Sequence, residues 1–235
     1  MRDPYLYDDV SVLRNRGNIR DAEKLRLAEG DITRHTISMV YACNFTKFNA
    51  ETLCEIHRII FGDLYEWAGN FRTIPIIKRE EILGGDSVRY AHPNQIKKEL
   101  SESSKEIVRL KKSDPKHETM FKLTRITSKM WQTHPFRDGN TRAVMSFFVL
   151  LALKLKIELD YSLFEKHAAY VRNALVWASQ GIYSKHEYLQ NIFFDAAGLT
   201  TKDMKPDASA VNDYTHIEGY YVADYEEQPH LHIEE

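Results

Sequence analysis

The nonapeptide His134-Pro135-Phe136-Arg137-Asp138-Gly139-Asn140-Thr141-Arg142 decides how the rest of this 235-residue chain is read. Ahead of it Met120, Leu123, Ile126 and Met130 recur at helical spacing, and residues 116–133 contain neither Gly nor Pro. Behind it residues 143–153 are apolar on nearly all sides, the pattern of a buried helix. Pro135 cannot continue the first helix, so the nonapeptide is a tight loop joining two helices. His134 then ends one helix, and Gly139-Asn140-Thr141-Arg142 opens the next. A helix N-terminus presents unpaired N–H groups and the positive end of a dipole, which together attract an anion. Around that point stand a general base (His134), a carboxylate able to hold Mg²⁺ (Asp138), a glycine at which a phosphate can approach the backbone (Gly139), and a guanidinium (Arg142). These residue types in this order point to phosphate chemistry.

The stretch resembles the signature of the Fic family, His-Pro-Phe-x-Asp/Glu-Gly-Asn-Gly/Lys-Arg, with Thr141 in place of the usual Gly. Ile56-His57-Arg58, followed by Phe61 to Gly69 and Arg72, is similar to a second hallmark of the same family and precedes the first in the family's order. The resemblance covers roughly residues 50–195. It implies an all-α, Fic-type helical bundle with one β-hairpin flap beside the active site. It also implies a protein adenylyltransferase moving AMP from ATP to a Ser, Thr or Tyr hydroxyl of a target protein or of the chain itself. In that scheme His134 takes the hydroxyl proton, Phe136 anchors the loop in the core, and Asp138 holds Mg²⁺ on the nucleotide phosphates. Gly139, Asn140, Thr141 and Arg142 bind the nucleotide, Asn140 having the alternative role of helix cap. Transfer of UMP, phosphocholine or phosphate on the same fold stays open. So does a non-catalytic class, a partner-dependent toxin or interaction module, as do self-association and an antitoxin-like regulator.

Two further positions depart from the family pattern. Active members often carry a second Arg three residues after Arg142, paired with the γ-phosphate; here that residue is Met145. The tail stretch 214–221 resembles a family autoinhibitory motif through Glu218 and Gly219, but Tyr214 stands where Ser or Thr belongs. The usual partner of the inhibitory Glu is that missing second Arg, which leaves inhibition by Glu218 in question.

The remaining sequence bounds the problem. A net charge of -2 gives no electrostatic reason for nucleic acid or an anionic membrane as partner. No apolar run is long enough to span a bilayer, and the first residues lack the apolar segment of a secretory signal. Cys43 and Cys54 read as a reduced pair, so the location expected is cytoplasmic. Three regions are expected: an N-terminal arm and helix (1–48), a Fic core (49–198) and a C-terminal tail (199–235) that carries a regulatory helix.

Within the first region, Asp21 caps a helix to Ala42 whose inward face is Leu25, Leu27, Ile32, Ile37 and Val40. Asn49 caps the next helix, in which His57 reads as a core histidine rather than a catalytic one. Residues 73–77 and 87–90 read as two strands around Gly84-Gly85. Ile74, Ile76 and Ile77 of that flap are expected to hold a target segment by strand addition. Pro93 and Pro115 each open a helix, with Asp114 capping the second; a single helix follows from Ser162 towards Gly181, and a last one spans 185–197 before Gly198.

Overall fold

The side chain of Asn49 accepts the N–H of Thr52 at 3.1 Å, and that of Asp21 accepts the N–H of Lys24 at 2.8 Å. Each satisfies a donor that the first turn of a helix would leave unpaired. In the computed structural model, which describes residues 3–199 and 214–217, the helices that follow are α1 (Ala22–Ala42) and α2 (Ala50–Phe61). Next come α3 (Ile96–Val108), α4 (Lys116–Thr133) and α5 (Asn140–Lys154). The last three are α6 (Ser162–Lys166), α7 (Ala168–Trp177) and α8 (Glu187–Ala196).

The core is built around α5, whose residues Ala143 to Ala152 are all buried. Helices α2 and α4 pack against it, α1 lies on α2 and α5, and α3 covers α4. Helix α8 packs on α4 and on α7, and Phe148 of α5 stacks on Phe193 of α8 with centroids 4.0 Å apart. Val12, Leu25 and Val40 join the same apolar cluster as α5, so the N-terminal arm and α1 share the core of the rest. Among the described residues no helix is long and apolar enough to cross a membrane.

Several expected details are corrected. The inward stripe of α1 is Leu25, Thr33, Thr36 and Val40, while Leu27 is 54% exposed. The threonines replace the expected isoleucines because Thr36 donates to the carbonyl of Ile60 at 2.8 Å, which draws α1 close to α2. Pro115 is the N-cap of α4 rather than its first residue, and Asp114 instead accepts the N–H of Lys111 at 3.1 Å. The helix expected from Ser162 breaks at His167 into α6 and α7.

The flap is also different from a hairpin. Residues 73–80 and 87–91 run as two extended limbs without a strand ladder, joined by a 3₁₀ turn at Glu81–Leu83 and by Gly84 and Gly85, both at positive φ. The physical reason is that side chains hold the limbs. Pro75 has no N–H to offer, Ser87 Oγ accepts the Lys78 N–H at 3.1 Å, and backbone bonds are confined to the turn, where Glu80 N–H reaches the Asp86 carbonyl at 2.9 Å and Gly85 N–H the Glu80 carbonyl at 3.0 Å.

Candidate active site

His134 ends α4 in the left-handed conformation, φ 47° and ψ 60°. A side chain pays for that geometry only where packing enforces it. Here Pro135 follows, the His134 N–H reaches the Trp131 carbonyl at 3.0 Å, and Nδ1 approaches the same oxygen at 3.3 Å. A carbonyl can only accept, so Nδ1 carries the proton and Nε2 keeps its lone pair. Nε2 is buried without a partner among the described residues, and His134 lines a cavity. Burial, then the nearby charges of Lys78 and Arg72, hold this imidazole well below its ordinary pKa, so it is neutral.

The loop beyond His134 is held from beneath. Phe136 is fully buried and stacks on His57 with centroids 3.8 Å apart. His57 accepts the Gly69 N–H on Nδ1 at 2.9 Å, so its Nε2 proton goes to the Asp138 carbonyl, also at 2.9 Å. Desolvation pushes the pKa of this histidine down to about 3. His57 is therefore a neutral strut for the loop, in line with the core role read from sequence. Asn140 folds back so that its amide accepts the Phe136 N–H and donates to the Phe136 carbonyl, both at 2.9 Å. Its side chain closes the loop; Gly139, not Asn140, occupies the N-cap of α5. A Cβ on Gly139, at φ 75°, would come within 2.3 Å of the Phe61 ring.

Two arginines complete the frame. Arg72 gives its backbone N–H to the Pro135 carbonyl at 2.8 Å and its Nε–H to the His134 carbonyl at 2.7 Å. It also donates to Ile74 and Ala91, one at each end of the flap, and burial lowers its pKa to about 10. Arg137 is clamped by Asp3 of the N-terminal arm, at 2.9 and 2.8 Å, with both side chains buried.

The cavity above this frame measures about 320 Å³ and is lined by His134, Asp138 and residues 139–142. Lys78 and Trp131 add to its wall, as do Ala168, Ala169 and Arg172 of α7. Burial resists ionisation of Asp138, but Lys78, Arg142 and the Gly139 N–H (2.6 Å) outweigh it and keep the carboxylate below its usual pKa. Thr141 takes the Trp131 indole N–H on its hydroxyl at 2.9 Å, which gives a physical reason for Thr where Gly is the commoner residue. Arg142 pairs with Glu29 of α1, donates to Thr33 at 3.1 Å and lies over the Phe61 ring. Met145 is buried in the core, so it brings no charge to the cavity.

His134, Asp138, Gly139, Asn140, Thr141 and Arg142 thus line one cavity. In the flap Ile74 and Ile76 are buried and inward-facing, whereas Ile77 is half-buried. Glu218 and Gly219 lie outside the described residues. The sequence reading missed Glu29, Lys78, Glu80, Tyr90 and Arg172. A signal existed for two of them: Arg72, Lys78 and Glu80 share the parity of Ile74 and Ile76, so an extended segment turns all five inward. A charge on an inward face needs a partner or a ligand.

Comparison with known proteins places these features in context. The family model for the Fic/DOC family matches residues 47–152. A probable protein adenylyltransferase Fic from Salmonella typhimurium is 32% identical over 159 residues, covering 65% of this chain and 73% of that protein. Protein adenylyltransferase VbhT from Bartonella schoenbuchensis is 27% identical over 175 residues; the match takes in 70% of this chain but 34% of that longer relative. Among solved structures, the BepC effector protein from Bartonella tribocorum, crystallised with bound AMPPNP, superposes with a TM-score of 0.68 at 25% identity. It covers 82% of this chain and 95% of that one. The N-terminal Fic domain of a Bartonella effector protein from Bartonella sp. AR 15-3 shares the fold with a TM-score of 0.71 at 22% identity, over 82% and 90% of the two chains.

Proposed function

The chain belongs to the Fic/DOC family, and from that premise we propose that it transfers AMP from ATP to a Ser, Thr or Tyr hydroxyl of a target protein or of itself. The observation that carries this reading is the unpartnered Nε2 of His134 in the same cavity as Asp138, Arg142 and the N-terminus of α5. His134 Nε2 takes the proton of the incoming hydroxyl, whose oxygen bonds to the α-phosphorus. The bond from that phosphorus to the bridging oxygen breaks, leaving an AMP ester on the protein and releasing pyrophosphate. The first N–H groups of α5 and Arg142 bind phosphate oxygens, and the Thr141 hydroxyl stays with Trp131. ATP as the donor is supported by the AMPPNP bound to the related BepC protein.

Asp138 is the residue that would hold Mg²⁺. It is ionised, lines the cavity, and stands apart from any three-residue ligand cluster among the described residues. That donor set suits Mg²⁺, which commonly takes one or two carboxylates and completes its shell with phosphate and water. The bound ion would neutralise charge on the leaving pyrophosphate.

The flap, through the outer edge around Ile77, is the surface for a target segment, bound by its main chain rather than by the buried Ile74 and Ile76. The working location is the cytoplasm.

The test is incubation of wild type and His134→Ala with ATP labelled on the α-phosphate, beside γ-labelled ATP and α-labelled UTP. Label from the α-position of ATP alone should enter protein, and the substitution should slow it by about 10²–10⁴-fold with ATP affinity kept. Equal labelling by the mutant, or transfer from the γ-position, contradicts the proposal.

A further inference from the structure

Arg172 takes part in two structures at once. On α7 it forms part of the cavity wall beside Ala168 and Ala169. It also holds Glu80 of the flap through both nitrogens, Nη1 to Oε2 at 2.7 Å and Nη2 to Oε1 at 2.9 Å. Glu80 is fully buried, and its Oε1 accepts the Tyr90 hydroxyl at 3.2 Å. The Tyr90 ring in turn lies against His134, with centroids 4.1 Å apart. One carboxylate therefore joins α7, both limbs of the flap and the aromatic ring that covers the base. His134 is 2% exposed beneath this cover, too little for a protein hydroxyl to reach Nε2.

The charge around the cavity bears on what would move that cover. Lys78, Arg142 and Arg172 face it together with the single carboxylate Asp138. Arg142 is already given to phosphate at the start of α5 and Met145 is apolar, so Arg172 is the further guanidinium, on the α7 wall, that a polyphosphate can recruit. A guanidinium binds phosphate and carboxylate with the same bidentate geometry, and a polyphosphate carries the greater charge. A buried carboxylate that loses its arginine must take up a proton or move towards water, and either change loosens its grip on Tyr90.

We propose that Arg172 is a phosphate-binding residue that exchanges Glu80 for the terminal phosphates of the nucleotide, so that a bound triphosphate unlocks the flap over His134. The order of events is then built in: nucleotide first, target hydroxyl second. The proposal rests on the nucleotide-transfer reading above but makes separate demands.

The experiment pairs calorimetric binding of AMPPNP and AMP, both with Mg²⁺, with amide hydrogen exchange over residues 78–90. The proteins are wild type, Arg172→Gln, Arg172→Lys and Glu80→Gln. In wild type AMPPNP should speed exchange in the flap and AMP should not. Arg172→Gln should weaken AMPPNP by about tenfold or more while AMP binding changes little, with Arg172→Lys in between. Its flap should exchange fast with or without nucleotide. Glu80→Gln should show the same fast exchange while binding AMPPNP at least as well as wild type, which separates an unlocked flap from a damaged site. The proposal is overturned if AMPPNP protects the wild-type flap, or if Arg172→Gln changes AMPPNP and AMP affinity equally or not at all. Transfer from α-labelled ATP is followed alongside. Intact transfer with unchanged AMPPNP binding by Arg172→Gln defeats this inference alone, whereas nucleotide binding without transfer defeats the transferase reading alone.

Discussion

Glu29 and Arg142, 113 residues apart in sequence, form an ion pair that joins α1 to the first turn of α5. The same carboxylate accepts the Tyr65 hydroxyl at 2.5 Å. Glu29 thus occupies the guanidinium to which the proposed transfer assigns phosphate, and under that proposal a nucleotide has to compete with it. Glu29→Gln keeps an acceptor for Tyr65 and removes the competing charge. ATP affinity should rise by about tenfold, in the range of a charge-assisted pair. Unchanged ATP affinity in that variant would mean that Arg142 is not a phosphate ligand or that the pair does not compete.

Asp138 provides a second prediction. Its carboxylate is stabilised by Lys78, Arg142 and the Gly139 N–H against the cost of burial, so it is ionised at neutral pH. Asp138→Asn should leave the loop in place, since the His57 bond is to the backbone carbonyl, but should remove the Mg²⁺ dependence of ATP binding. Titrating ATP with and without Mg²⁺ decides it: the difference seen in wild type should vanish in the variant.

The buried histidines set an acid limit on stability. His57 has its native pKa lowered to about 3 by desolvation, and His134 is lowered in the same direction. Below the unfolded value near 6.5 the unfolded chain binds protons that the native sites refuse, so stability falls as the pH falls. For His57 the window runs from about 6.5 down to about 3, and the loss by pH 5 is about 2 kcal/mol. Urea unfolding at pH 7.5 and pH 5 measures the decline. Histidine NMR should show the His57 ring still neutral at pH 5 and the His134 ring titrating below the ordinary value, and a ring that titrates near 6.5 would refute its assignment.

Asp3 and Arg137 test the N-terminal arm. Both side chains are buried, and Arg137 sits inside the 134–142 loop. Removing one partner of a buried pair strands the other charge, at a cost of about 3–5 kcal/mol. Asp3→Ala should lower stability by that amount, and an added Arg137→Met should recover much of it. If Asp3→Ala proves neutral in denaturant unfolding, the arm is not part of the loop's support.

Much of this protein is determined locally. The helix starts at Asn49 and Asp21 and the break at Pro135 follow from hydrogen-bonding capacity and backbone sterics. Those rules act over a few residues, so the nonapeptide and the helices on either side of it could be read directly. The all-α bundle was implied by the family resemblance that the nonapeptide carries. What only the tertiary structure decided are the partners of the charges. Glu29 on Arg142, Glu80 on Arg172, Asp3 on Arg137 and His57 under Asp138 are separated by 113, 92, 134 and 81 residues. No local spacing brings such pairs together, because their meeting depends on how whole helices cross. The flap shows the same limit: alternation turned Ile74 and Ile76 inward together with Lys78 and Glu80. Whether its two limbs would share a ladder was settled by the side chains of Ser87, Arg172 and Tyr90, which fasten the limbs to the helices and to each other.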